Sequence, residues 1–166
     1  AGLKKDDDGK ALAGAVFGLF PGDATSFDGS KAILTATSDS QGRFTFDRIP
    51  FGKYLVREIT APYGFVADTK TYPVTIGEHG QVVEIASVNK AQKGIIRLSK
   101  EGEVFASVTQ EEGRYVPHYE VKGLAGAQYE IVAAEDIYSY NHTLKAEKGT
   151  VVDTITTGPD GTAQSK

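Results

Sequence analysis

Few side chains in this sequence have both the type and the spacing that chemistry requires. Cysteine is absent, which excludes disulfides, thiol catalysis and cysteine-rich zinc sites. The acidic run Asp6-Asp7-Asp8-Gly9 suggests a calcium loop, but Lys4 occupies the first ligand position and Ala15 the twelfth, where glutamate is required. We therefore interpret this run as a turn.

The histidines and the remaining acidic residues form no recognisable catalytic or metal-binding arrangement. The histidines lack metal-ligand spacing and lie in polar stretches, which is typical of solvated loops. No serine nucleophile elbow or phosphate-binding glycine loop occurs. We therefore expect no metal, no cofactor and no multiple-turnover enzyme. The three histidines are His79, His118 and His142.

Charge and hydropathy exclude further classes of protein. The 166 residues carry 18 Lys and Arg against 22 Asp and Glu, a net charge of −4, so no basic excess is present to bind a nucleic-acid backbone. No apolar run approaches the length of a membrane span. The chain opens at Ala1 rather than Met, so we expect a processed or excised piece of a longer protein.

The hydrophobic pattern predicts β-structure throughout. Apolar residues alternate along 15–19, which places Ala15, Phe17 and Leu19 on one face of a strand. Other short runs rich in Val, Ile, Thr, Tyr and Phe are separated by turn signals such as Asp28-Gly29 and His79-Gly80. This spacing predicts an all-β fold of the Ig-like β-sandwich type. The other candidate strands are 32–37, 43–46, 53–60, 71–76 and 82–88.

The sequence also repeats itself. Leu12-Ala13-Gly14-Ala15-Val16-Phe17 recurs as Leu124-Ala125-Gly126-Ala127-Gln128-Tyr129, and a short strand ending in lysine precedes each copy. Two tandem copies of one module explain this pattern better than a single domain. We predict a complete β-sandwich module over 1–90 and a second module over 91–166.

The second copy is longer than the first before the repeated leucine motif and shorter after the turn glycine. Eight positions separate Lys4 from Leu12, whereas 24 separate Lys100 from Leu124, so the second module carries an inserted loop or hairpin. The first module continues for 47 residues beyond its Gly42 turn, but the second has only five residues after Gly161. We therefore expect the second module to be truncated, as if cut within a longer repeat array.

An ordered set of motifs over residues 3–89 resembles the collagen-adhesin B-type (Cna B) domain, a SpaA-like, prealbumin-like module of Gram-positive pilins and surface adhesins. The second module matches only the first half of that pattern. Each motif alone is weak, and the ordered set is specific. The motifs are Lys4-Lys5-Asp6, Leu12-Ala13-Gly14-Ala15-x-Phe17, Asp39-x-x-Gly42, Pro50-Phe51-Gly52-Lys53-Tyr54, the stretch Glu58 to Phe65, and Val88-Asn89.

The resemblance implies an internal isopeptide bond between a lysine on the first strand and an asparagine on the last. It assigns Asn89 as the acceptor and Glu58 as the promoting acid. Spacing to the repeated motif favours Lys4 as the nucleophile, whereas strand alternation from Leu3 would turn Lys5 inward instead. Burial disfavours the charge of a lysine and of a carboxylate, which favours an amine nucleophile and a neutral acid.

The residues alone also allow simpler interpretations. Lys4 and Lys5 would serve as edge lysines that prevent aggregation between sheets. Both faces of the strand that carries Glu58 are mixed, so periodicity does not decide whether Glu58 is buried. In the second module Lys100 is the equivalent lysine, and because the chain contains no matching Glu and Asn we expect it to be unreacted unless another polypeptide supplies them.

The function that the resemblance implies is structural. We expect a stalk or repeat module of an extracellular, cell-wall-associated surface protein or pilin, stiffened by a single-turnover cross-link and adjoining further repeat modules. The alternative is an adhesive module whose inserted loops, residues 101–119 or 138–142, bind a host matrix protein or a glycan. An exposed aromatic or apolar surface on those loops would favour the alternative.

Overall fold

The computed structural model describes all 166 residues, which form two compact units. Unit 1 comprises Ala1–Gln92 with Ser139–Asn141, and unit 2 comprises Lys93–Tyr138 with His142–Lys166. The fold is all-β, as predicted, with sixteen strands and one three-residue 3-10 turn, Gly29–Lys31. No helix of the chain has the length and apolar character needed to cross a bilayer. The module boundaries at 1–90 and 91–166 stay a prediction.

Unit 1 contains two four-stranded sheets. The first sheet has the order β4-β1-β8-β6 and the second the order β3-β2-β5-β7. The strands of the first sheet are β1 (Gly2–Asp6), β4 (Arg43–Phe44), β6 (Phe65–Val66) and β8 (Ile85–Ala91). Those of the second are β2 (Val16–Pro21), β3 (Leu34–Thr37), β5 (Gly52–Thr60) and β7 (Thr71–Ile76).

The first and last strands of unit 1 lie side by side. β1 and β8 pair in parallel, with Lys4 opposite Ser87 and Asp6 opposite Asn89, whereas the other strand pairs are antiparallel. Parallel neighbours need a long connection between them, and here that connection is the rest of the unit. The two ends of the module are therefore joined through one pair of strands.

The core of unit 1 lies between the two sheets. Ala15, just before β2, and Phe17 and Leu19 within it belong to one buried core cluster, which confirms the predicted shared face. Phe20 of β2 is also buried. The Phe17 ring stacks on Phe44 of the first sheet, with ring centroids 3.9 Å apart and planes 5° from parallel. Val56 of β5 completes the inner layer. These contacts hold the two inner faces together.

The acidic run near the N-terminus forms a turn, as predicted. Asp6 is buried, and its Oδ1 accepts the backbone N–H groups of Asp8 at 3.0 Å and Lys10 at 2.8 Å. Gly9 adopts a φ of 81°, which a residue without Cβ tolerates readily. The carboxylate of Asp6 is therefore occupied in closing the turn.

Unit 2 consists of four two-stranded sheets. The pairs are β9 with β16, β10 with β11, β12 with β15, and β13 with β14. The strands are β9 (Arg97–Ser99), β10 (Glu101–Glu111), β11 (Arg114–Gly123), β12 (Gln128–Val132), β13 (Ile137–Tyr138), β14 (Leu144–Ala146), β15 (Val151–Thr156) and β16 (Thr162–Gln164). The insertion predicted between Lys100 and Leu124 is the long β10–β11 hairpin.

The internal repeat extends to individual hydrogen bonds. In each unit the equivalent lysine, Lys4 or Lys100, accepts a backbone hydrogen bond from the motif leucine and donates one to a turn glycine. A hydroxyl side chain donates to the carbonyl oxygen of that leucine. The bonds of unit 1 are Lys4 N to Gly42 O, Leu12 N to Lys4 O and Ser38 Oγ to Leu12 O. Those of unit 2 are Lys100 N to Gly161 O, Leu124 N to Lys100 O and Thr157 Oγ1 to Leu124 O.

Phe17→Ala is expected to lower the free energy of unfolding of unit 1 by about 3–5 kcal/mol, because it empties a fully buried site between the sheets. Phe105→Ala, which truncates an exposed ring of unit 2, is the matched control and should change stability by no more than about 0.5 kcal/mol. Denaturant unfolding followed by circular dichroism measures both. Equal effects of the two substitutions would contradict this assignment of the core.

Candidate functional site

Lys4 lies at the centre of a buried polar cluster in unit 1. Its side chain is 0% exposed, and its Nζ lies 5.4 Å from the centroid of the Phe17 ring. The Nζ donates to Asn89 Oδ1 at 2.5 Å and to Ser87 Oγ at 2.7 Å. It also lies 3.3 Å from Glu58 Oε1. The predicted nucleophile, acceptor and acid thus meet in one place.

The direction of β1 decides which lysine is inside. Lys4 and Asp6 face the interior, whereas Leu3 is 37% exposed and Lys5 is exposed. The alternative in which Lys5 turns inward with Leu3 is therefore wrong. Alternation defines two sets of residues on a strand, and packing against the opposite sheet decides which set is buried.

Asn89 reaches the cluster from the neighbouring strand. Ser87 and Asn89 are both buried on the inward face of β8, which lies beside β1. The Asn89 Nδ2 donates to Glu58 Oε1 at 2.8 Å, while its Oδ1 accepts from Lys4. Both ends of the carboxamide are therefore held, with the carbonyl oxygen beside the amine of Lys4.

Glu58 approaches from the opposite sheet. It lies on β5 directly opposite Phe17 of β2 and is only 5% exposed, which resolves the face that periodicity left open. Its Oε1 contacts both Lys4 and Asn89, and its Oε2 accepts the backbone N–H of Asp68 at 2.5 Å. One carboxylate oxygen thus bridges the nitrogen atoms of the two residues.

Burial and the nearby carboxylates shift the pKa of Lys4 in opposite directions. Desolvation lowers the pKa of Lys4, and the nearby carboxylates of Glu58 and Asp68 partly oppose that shift. The net direction is downward. Loss of a proton from Lys4 is therefore easier here than from a lysine in water.

Three residues of the site were missed by the sequence analysis. Asp68 Oδ2 accepts from Ser87 Oγ at 2.8 Å and from the Tyr72 hydroxyl at 2.7 Å. Ser87 has a sequence signal, since it is two residues before Asn89 and shares its face. Asp68 lies in the connection between β6 and β7 and Tyr72 on the adjoining strand, where no motif marks them.

Asp68 and Tyr72 affect each other's ionisation. Burial favours protonation of Asp68, but hydrogen bonds from Tyr72, the Lys70 amide and Ser87 outweigh it and hold the pKa of Asp68 below its usual value. Burial, together with the hydrogen bond to Asp68, raises the pKa of Tyr72 to about 12. This corner of the site therefore contains a carboxylate and a neutral phenol at neutral pH.

Every buried polar side-chain atom of the cluster has a hydrogen-bond partner, and unit 2 forms no equivalent cluster around Lys100. No buried side-chain nitrogen or oxygen of the chain lacks a hydrogen-bond partner. Lys100 occupies the backbone position equivalent to Lys4, but its side chain is exposed. No group of three or more His, Cys, Asp or Glu side chains is arranged to hold a metal ion. The polar chemistry of the molecule is therefore concentrated in unit 1.

The family described as "SpaA: Prealbumin-like fold domain" matches residues 1–91, more than half of the chain. The chain belongs to this family. The match covers every residue of the buried cluster, so Lys4, Glu58 and Asn89 all lie within the SpaA domain. The resemblance recognised from the ordered motifs is confirmed. No curated protein matches the chain.

Several solved structures are similar to this chain at low sequence identity. The Bacillus anthracis TIE protein is 20% identical with a TM-score of 0.50, and the match covers 99% of this chain and 25% of that one. A group B streptococcus pilus 2b backbone protein is 19% identical with a TM-score of 0.45, and the match covers 54% of this chain and 39% of that one. BcpA*(D312A), the major pilin subunit of Bacillus cereus, is 18% identical with a TM-score of 0.44, and the match covers 98% of this chain and 51% of that one. The chain thus spans a quarter to about a half of these proteins.

Tyr72 is expected to ionise near pH 12. Because folding favours its neutral phenol, the associated stabilisation is complete below the ordinary value of about 10 and is lost as the pH rises through about 12. Ultraviolet absorbance titration of the folded chain measures this step. Tyr72→Phe should remove the step and Tyr115→Phe should leave it, and a step that survives in Tyr72→Phe would refute the assignment.

Proposed function

We propose that unit 1 forms an intramolecular isopeptide bond between Lys4 and Asn89, promoted by Glu58, and acts as a self-stapled structural module. The observation that carries this proposal is the contact of Glu58 Oε1 with both Lys4 and Asn89 inside a water-excluded core. Those contacts provide the three parts of an amide-exchange reaction: an amine, a carboxamide and an acid that touches both.

The reaction begins from the neutral amine of Lys4. Its lone pair attacks Cγ of Asn89, so the Nζ–Cγ bond forms and the carbonyl oxygen becomes an oxyanion. Glu58 removes one proton from Nζ and delivers one to Nδ2, because a single oxygen of its carboxylate faces both nitrogens. The Cγ–Nδ2 bond then breaks and ammonia leaves. The product is one amide, and no group remains free to turn over.

Folding supplies the proximity that this reaction requires. The three residues lie on β1, β5 and β8, which belong to both sheets, so they meet only after the sandwich has closed. Positioning of this kind is equivalent to a very high effective concentration of the amine. The reaction is thus a final step of folding rather than catalysis on an external substrate.

The bond would strengthen the module against unfolding and against force. Lys4 and Asn89 are 85 positions apart, and closing such a loop in the unfolded chain stabilises a fold by roughly 4 kcal/mol, by analogy with disulfides. It also ties β1 covalently to its parallel neighbour β8. Tension that enters along β1 would pass through the cross-link to β8 without separating the two strands.

This role suits a segment of a larger surface protein. Because the chain belongs to the SpaA prealbumin-like family and shares a fold with proteins described as pilins, we place it in an extracellular, cell-wall-associated protein of a Gram-positive bacterium. Its neighbours would be further repeat modules of the same protein. The module would act as a stalk element rather than as an enzyme.

The intact mass of the full chain should be lower than the sequence mass by one ammonia, and peptide mapping should recover a branched peptide that joins Lys4 to Asn89. Glu58→Gln should retain the full mass and unfold at a lower temperature, because the promoting carboxylate is lost. Lys4→Arg should also retain the full mass. Its matched control, Lys5→Arg, changes an exposed neighbour and should react completely.

A wild-type chain with unmodified mass would refute the cross-link. Complete reaction of Glu58→Gln would exclude Glu58 as the promoter, and loss of ammonia in Lys4→Arg would show that another lysine reacts. A deficit of two ammonia molecules would mean that Lys100 has also found partners.

A second candidate function rests on the β10–β11 hairpin, whose two faces differ in chemistry. Cross-strand partners share a face, and the pair Phe105 and Tyr119 lies on one face with Val121, Tyr115 and Val108. Phe105 and Tyr119 are each 59% exposed, with their ring centroids 6.3 Å apart. An exposed apolar strip of this kind is typical of an interaction surface.

The opposite face of the hairpin is mostly polar but includes Val104 and Val116, and the hairpin has no further strand at either outer edge. Thr109 pairs by hydrogen bond with His118, and Lys122 forms an ion pair with Glu120. The hairpin is a sheet of two strands only, so each outer edge presents unpaired backbone groups to an added strand. These features favour an extended polypeptide, such as a segment of a host matrix protein, as the ligand of an adhesive module.

Binding of the full chain to immobilised host matrix proteins should be lost in Phe105→Ser/Tyr119→Ser and retained in the matched control Thr109→Ala/His118→Ala on the polar face. Biolayer interferometry measures both, with a glycan array in parallel. Binding to glycans alone would show that the ligand is a carbohydrate rather than a polypeptide. Equal loss in both variants, or no binding by the wild type, would refute the adhesive role of the hairpin.

A further inference from the structure

The proposed reaction leaves one proton without an acceptor. A lysine side chain at neutral pH starts as an ammonium with three N–H bonds, and the amide product has one, so two protons must leave Nζ. Glu58 contacts both Nζ and Nδ2 and is placed to move one of them to the leaving ammonia. The other proton has to leave before the attack, because an ammonium has no lone pair.

A second hydrogen-bonded path begins at the same nitrogen. Lys4 Nζ donates to Ser87 Oγ at 2.7 Å, and Ser87 Oγ in turn donates to Asp68 Oδ2 at 2.8 Å. The hydroxyl hydrogen of Ser87 therefore points at Asp68, and its oxygen presents a lone pair to Lys4. The chain of bonds has the polarity needed to carry a proton from Lys4 to Asp68.

Asp68 is equipped to receive that proton. Hydrogen bonds from Tyr72, Lys70 and Ser87 keep its pKa low, so it is ionised at neutral pH and, as a weak base, holds an added proton only transiently. Its own backbone N–H also bonds Glu58 Oε2. One residue thus fixes the orientation of the promoting acid and ends the path that begins at Lys4.

We propose that Ser87 and Asp68 remove the first proton from Lys4, which leaves Glu58 to transfer the second. This inference rests on the proposed isopeptide reaction. Ser87 touches the reacting nitrogen and is a catalytic residue, whereas Asp68 acts through Ser87 and is a positioning residue that accepts the proton transiently and passes it on. The site contains two carboxylates because the reaction has two proton transfers.

The atoms balance in this scheme. One N–H bond of the Lys4 ammonium breaks as an O–H bond forms on Ser87, and the original hydroxyl proton of Ser87 moves to Asp68 Oδ2. The neutral amine then attacks Asn89 as described above. After ammonia is released it takes the proton from Asp68 and leaves as ammonium. Asp68 and Glu58 each end with the number of protons with which they began.

The pH dependence of the reaction distinguishes proton transfer from simple support of the fold. Lys4 faces Glu58 on β5, Asp68 before β7 and, beyond Asp68, Tyr72 on β7; Asp6 shares its inward face of β1. With the path intact the first proton moves within the protein. Without it that proton must pass to solvent, and the rate then rises with pH.

The test is a time course of cross-linking in the full chain. Cell-free synthesis is stopped, samples are held at pH values between about 6 and about 9, and the reacted fraction is read by intact mass after acid quenching. Asp68→Asn and Ser87→Ala should each react about 10- to 100-fold more slowly than wild type at neutral pH. Their deficit should shrink as the pH rises. Ser87→Thr, which keeps the hydroxyl, should recover most of the rate.

Asp39→Asn is the matched control, because Asp39 also accepts backbone N–H groups in unit 1 but lies outside the cluster. It should react at the wild-type rate. Asp68→Asn reacting at the wild-type rate, or slowed by the same factor at every pH, would overturn the proposal. If Asp68→Asn does not fold, the comparison of Ser87→Ala with Ser87→Thr tests the proposal instead. Equal cross-linking rates of these two variants would overturn the proton path. A wild-type chain that never loses ammonia would refute the isopeptide reaction itself, whereas the outcomes above refute only the proton path.

Discussion

The structure of unit 1 depends on a lysine amine held inside a β-sandwich without contact with water. A buried cation is strongly unfavourable unless it is paired and hydrogen-bonded. Lys4 meets that requirement with three partners, Asn89, Ser87 and Glu58. The nitrogen belongs to a residue of β1, and the three partner side chains come from β5 and β8. The proposed bond would remove the positive charge of Lys4, since the amide that forms is neutral.

The same constraint connects the topology to the function. A parallel pair of first and last strands places the two ends of the module side by side, so one cross-link between them can carry load past the whole sandwich. The opposite sheet contributes Glu58, which would couple the proposed reaction to closure of the core. A chain whose sheets had not packed would have its amine in water and its acid elsewhere. The bond would thus form only in a folded module.

The two units show how one local motif leads to different outcomes. The leucine and turn-glycine hydrogen bonds around Lys4 recur around Lys100, which shows that the part of the module present in both units is enough to form them. Burial of the lysine does not recur, because unit 2 has no strand pair equivalent to β1 and β8 and no strand equivalent to β5. Unit 2 has instead the exposed β10–β11 hairpin. The local motif positions the lysine backbone, and only a complete sandwich encloses its side chain.

The sequence by itself determined the all-β class and the repeat, because alternation and ordered motifs are local properties of the chain. The family resemblance carried by those motifs pointed to Glu58, Asn89 and either Lys4 or Lys5 as the site residues. The sequence left open which lysine faces inward and whether Glu58 is buried. Only the tertiary structure decided these, since burial depends on which face of a strand packs against the other sheet. Asp68 was beyond the reach of sequence patterns, because it lies in a connection without periodicity and reaches the site only through the folding of distant strands.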